Sequence, residues 1–167
     1  MAKTPAPPPS EKELEGLARH HINYEVLALI DAMGRGAAGA VPGPRVLADG
    51  VPHHALVSHD MLLHARLLAN VVLCSDASCQ HHDDVEARLY VPGWPGVNAL
   101  GEDRTRVDKA LAHLSRQRLG FGAISGPQRT AIATRVLQEL IAFIEAVPDD
   151  RRPWFDQTAA AIRVALS

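Results

Sequence analysis

Apolar residues recur at helical spacing along four long stretches, each bounded by its own start or stop signal. In the first, Ser10 followed by Glu13 has the form of a capping box, and Leu14, Leu17, Val26, Leu27, Ile30 and Met33 continue the period. A helix is expected from Ser10 to about Met33, ending before Gly34. The second stretch, from His54 to Leu73, carries Met61, Leu62, Leu63, Leu67, Leu68, Val71 and Val72. A third, from Arg104 to Arg118, places Val107, Leu111 and Leu114 on one side, with Asp103 in position to cap it and Gly120 and Gly122 to stop it. The fourth opens on Ser125, Pro127 and Gln128 and ends at Pro148. Its stripe of Ile132, Val136, Leu137, Leu140, Ile141, Phe143 and Ile144 is the strongest core pattern in the chain.

Between these stretches the punctuation is equally plain. Residues 34–52 are rich in Gly, Pro and Ala and predict a long loop. Val91-Pro92-Gly93-Trp94-Pro95-Gly96 breaks the chain again, with Trp94 expected to anchor that segment on the bundle. A short helical turn is expected over 83–90, and a last short helix around Arg152 to Leu166. Residues 1–9 are a Pro/Ala-rich tail expected to be disordered, leaving 10–167 as one domain. These signals predict an all-α fold: a four-helix up-and-down bundle with a long first loop and a short C-terminal helix.

Composition supports this without changing it. The 167 residues are 47% hydrophobic but only 4% aromatic, so the core must be largely aliphatic, which favours helices over sheets. A formal net charge of -2 does not match a dedicated duplex-DNA binder, so any nucleic-acid contact must come from a local basic face. Two cysteines make no disulfide framework, no signal peptide opens the chain, and no apolar run is long enough to span a bilayer. The expectation is a cytoplasmic protein with no membrane partner.

Candidate chemistry concentrates on the third helix. Positions seven apart differ by only about 20° around a helix axis, so Arg106 and His113 share a face, with Lys109 and Arg116 on the same side. On the second helix, His59, Arg66 and Asn70 form a polar stripe among apolar neighbours, either a structural hydrogen-bond network or part of a site. His64, with Asp60 one turn before it, points away from that stripe. On the first helix, His21 and Glu25 are an i, i+4 pair, either a boundary contact or an acid/base or ligand pair. Cys74, Cys79, His81 and His82 invite a zinc site, against the plainer alternative of a polar loop. A metal-binding bundle using some of His21, Glu25, His59, His64 and His113 is a further alternative; otherwise no cofactor is expected.

Three pieces in order, His64-Ala65-Arg66, Asp83-Asp84-Val85 with Val91-Pro92-Gly93-Trp94, and Ala112-His113-Leu114-Ser115 with Arg118, resemble a group of bacterial helical proteins that are similar in turn to the HEPN superfamily. The similarity covers roughly His20 to Val147. HEPN ribonucleases carry an Arg and a His with four to six residues between them; Arg106 and His113 have six between them, with Val107 where a polar residue usually follows the Arg. The resemblance implies binding of RNA or nucleotide, and in its sharper form a metal-independent endoribonuclease with a composite site between two protomers. In that chemistry His113 serves as acid/base for a ribose 2′-hydroxyl and Arg106 holds the phosphate, with Arg66, Lys109, Arg116, Arg118, His59 and Asn70 as candidate substrate contacts. A homodimer and a cognate antitoxin or other protein partner go with it, and a non-catalytic interaction bundle is the alternative.

Overall fold

The computed structural model describes residues 8–37, 53–73, 85–111 and 124–167, and every regular element among them is helical. The first helical stretch begins as α1 (Glu11–Gly16) and passes without a break through a π-helical segment, Leu17–Ile22, into α2 (Asn23–Ala37). The Ser10 capping box forms as expected, the Ser10 hydroxyl and backbone N–H both meeting the Glu13 carboxylate at 2.6 and 2.8 Å. Gly34 does not stop the helix. Glycine in a helix costs only about 1 kcal/mol, and Arg35 ties the last turn down through Asp31 at 2.8 Å and Asp60 on the next helix at 3.7 Å.

Helix α3 (His53–Leu73) is the spine of the molecule: α2, α4 (Arg104–Leu111) and α5 (Gly126–Ala146) all pack on it. Side-chain pairs that join α2 to α3 run from Arg35–Asp60 to Glu25–His64, so the two helices are antiparallel. The pairs Arg66–Asp108 and Asn70–Arg104 make α4 antiparallel to α3 as well. Helix α6 (Asp156–Leu166), after a 3-10 turn at Arg152–Phe155, closes over α2 and α5. Of the expected third helix, the part beyond Leu111 lies outside the described residues.

Four aromatic residues are gathered in one place. Tyr90, Trp94, Phe143 and Phe155 meet edge to face with ring centroids 5.2–6.1 Å apart, the geometry aromatic quadrupoles favour. This knot fixes the segment 85–100 against the bundle. Trp94 Nε1–H donates to Val72 O at 2.8 Å, the Val97 backbone N–H donates to the same carbonyl at 2.7 Å, and the Tyr90 hydroxyl donates to Leu14 O at 3.0 Å. Trp94 is thus the anchor its setting in the sequence suggested. Around the knot, Leu14, Val26, Leu29, Leu68, Val107, Ile132, Val136, Leu140 and Ile162 form one continuous aliphatic core.

Candidate functional site

Two polar clusters lie on either side of the seam that α4 presents to the core. Val107 is fully buried and Leu111 nearly so, which fixes how α4 is rolled. On one flank, Arg104 Nη2 donates to Asn70 Oδ1 at 3.0 Å, Arg66 Nε lies 2.7 Å from Asp108 Oδ1, and Arg104 stands 4.0 Å from the other oxygen of Asp108. On the other flank, Asp103 joins Arg106 at 3.7 Å to Arg135 of α5 at 3.0 Å. Arg135 is further held by the carbonyls of Ala99 and Leu100, at 2.8 and 2.7 Å. The turn that brings this about needs Gly101, whose φ of 55° lies in the left-handed region and whose Cα faces the Arg135 guanidinium.

The polar stripe of α3 therefore meets α4, but not at the residue expected. Arg66 and Asn70 contact Asp108 and Arg104; Arg106 is about 160° around α4 from Arg104 and belongs to the α5 side. Asp103, expected as a helix cap, sits in a 3-10 turn (Gly101–Asp103) with its carboxylate turned to the two arginines. Lys109 is partly buried on α4, and His59 is partly buried on α3. His113, Arg116 and Arg118 lie outside the described residues, as do Cys74, Cys79, His81 and His82 of the zinc expectation.

A second difference concerns Glu25. Its partner is not His21 one turn away but His64 on α3, with Nδ1 2.6 Å from Glu25 Oε2. A carboxylate only accepts, so in this contact Nδ1 is the donor. The Tyr24 ring stands edge-on to the imidazole at 6.3 Å. Asp60, the expected neighbour of His64, pairs with Arg35 instead.

Beside this pair, α2 and α3 enclose a cleft of about 210 Å³ lined by His21, Ile22, Glu25, Leu67, Leu68, Asn70, Val71 and Val85. Nothing in the sequence pattern signalled it, because it depends on two helices 39 positions apart meeting at Glu25 and His64. Asn70 belongs to both features: it is a wall of the cleft and the acceptor for Arg104. Among the described residues no group of three His, Cys, Asp or Glu side chains is gathered to hold a metal. Nor is any described helix long and apolar enough to cross a membrane.

No protein-family model, curated protein or solved structure matches the chain.

Proposed function

We propose that the protein binds the phosphate of an RNA or a nucleotide on the α3–α4 face. One observation carries this. Helix α4, the turn before it and the side chains they touch hold Arg66, Arg104, Arg106, Lys109 and Arg135 against Glu102, Asp103 and Asp108, five cations to three acids in a chain of net charge -2. Among the described residues, Arg104 Nη1 has no hydrogen-bond partner, and with 30% of the side chain exposed the guanidinium can turn that donor to a phosphate oxygen. The HEPN-like four-helix architecture, a cytoplasmic location and a homodimer accompany this function, and a metal-independent ribonuclease using His113 and Arg106 is its sharper form.

The test is direct binding. Arg104→Ala and Arg66→Ala are expected each to weaken binding of a short single-stranded RNA, and the loss is expected to shrink as salt rises. Unchanged RNA affinity in both variants at low salt would overturn the proposal. Cleavage assayed in chelator separates the sharper form: activity lost in His113→Ala supports a ribonuclease, and binding without cleavage leaves a binding module.

A further inference from the structure

The arginine face and the α2–α3 cleft share Asn70, and the way Asn70 is held dictates what the cleft offers. A guanidinium only donates, so the atom 3.0 Å from Arg104 Nη2 is Oδ1, and the Nδ2 amide protons are left to donate elsewhere. Asn70 is one of the cleft's walls. The cleft therefore has a donor fixed in orientation by the residue proposed to hold phosphate.

The acceptor comes from the opposite helix. Glu25 also lines the cleft, and His64 occupies only its Oε2, leaving Oε1 as a charged acceptor. Apart from the His21 imidazole, the remaining walls are aliphatic: Ile22, Leu67, Leu68, Val71 and Val85. A mostly apolar cleft with an amide donor, a carboxylate acceptor and an imidazole at its edge suits a flat heteroaromatic ring bearing an amino group next to a ring nitrogen. It does not suit a sugar, whose hydroxyls would meet methyl groups and go unpaired.

We infer that the cleft receives the base of a nucleotide whose phosphate lies on Arg104 and Arg66, and that Glu25 and Asn70 select bases carrying an amino group. This rests on the phosphate-binding function proposed above and adds to it a second recognition element on the other side of Asn70. The ring stacks among aliphatic side chains, its amino group donates to Glu25 Oε1, and its ring nitrogen accepts from Asn70 Nδ2.

Isothermal titration with three probes, adenosine 5′-monophosphate, uridine 5′-monophosphate and ribose 5-phosphate, reads the two elements separately. The adenine nucleotide is expected to bind about tenfold more tightly than ribose 5-phosphate and more tightly than the uridine nucleotide. Glu25→Gln keeps the shape and an acceptor for His64 but turns an amide N–H₂ towards the cleft, where it opposes the adenine amino group while Asn70 still opposes the uracil N3–H, so the preference for the adenine nucleotide is expected to disappear. A folding defect lowers all three affinities and leaves their ratios unchanged. As a second variant, Leu67→Trp changes a residue that is already 40% exposed; filling the cleft from there should erase the advantage of the adenine nucleotide while leaving ribose 5-phosphate unchanged. Equal binding of ribose 5-phosphate and the adenine nucleotide overturns the inference and spares the phosphate site. An unaltered adenine-to-uracil ratio in Glu25→Gln also overturns it. Binding of none of the three, with RNA also unbound, removes both.

Discussion

Asp108 Oδ1 lies 2.7 Å from Arg66 Nε, yet neither atom has a hydrogen-bond partner among the described residues, so the two face each other as charges without alignment. The same carboxylate stands 4.0 Å from Arg104. It competes with any anion for both arginines. Asp108→Asn is therefore expected to tighten RNA binding by about two- to fivefold at low salt, an effect that fades at high salt. With the side chains of Arg66 and Asp108 40% and 36% exposed, the pair contributes less than about 1 kcal/mol to stability, so the variant should unfold at nearly the wild-type urea midpoint. Weaker RNA binding in Asp108→Asn would show that the carboxylate orients the arginines instead of masking them.

Tyr90 ties the stability of the fold to pH at the alkaline end. Burial pushes its phenol well above the ordinary value, with the positive charge of Arg151 pulling the other way. The unfolded chain begins to ionise this tyrosine near pH 10, while the fold accepts only the neutral form. The contribution is complete below that pH and is lost as pH rises towards the folded value. Urea midpoints measured from pH 8 to 11 should fall steeply at the alkaline end for the wild type and less steeply for Tyr90→Phe. At neutral pH the variant should be less stable by about 1 kcal/mol, from the lost hydrogen bond to Leu14 O.

Gly34 is helical, exposed, and has nothing within 4 Å of where a Cβ would stand. Gly34→Ala is expected to stabilise the protein by about 1 kcal/mol in urea denaturation, the difference in helix propensity between the two residues. Gly36 makes an internal control. A Cβ there meets Met61 Cε at 3.0 Å, so the Met61 methyl must move and the gain from Gly36→Ala should be smaller. Equal gains would mean that the end of α2 is not held against Met61.

These elements also show why some of the molecule was legible in its sequence. The capping boxes at Ser10 and Ser125 are interactions across three residues, and both formed where the residue types place them. Pro148 and the stripe from Ile132 to Ile144 are likewise local, and α5 ends and buries its face accordingly. The Trp94 anchor was legible because a large ring in a Pro/Gly-rich segment has few places to bury itself. The Glu25–His64 pair was not, because it spans 39 positions and joins two different helices. For the site, Arg66 and Asn70 stood out in the stripe on α3, but their partners Asp108 and Arg104 did not. Arg104 and Asp108 are i, i+4 neighbours on α4, on a different face of that helix from Arg106.

The last turn of α3 leaves a carbonyl, Val72 O, that its own helix does not satisfy, and two protons from the following segment share it: Trp94 Nε1–H and the Val97 backbone N–H. A helix end and the segment that leads to α4 thus share a single opening event. In deuterated buffer the indole proton of Trp94 and the amide proton of Val97 should exchange at matching rates, both slower than the amides of the exposed turn at Gly93. Trp94→Phe keeps an aromatic ring but removes one of the two protons, and it should speed exchange at Val97. The docking of Arg104 and Asp108 of α4 against α3 then has a lifetime, the time for which one carbonyl oxygen keeps both of its protons.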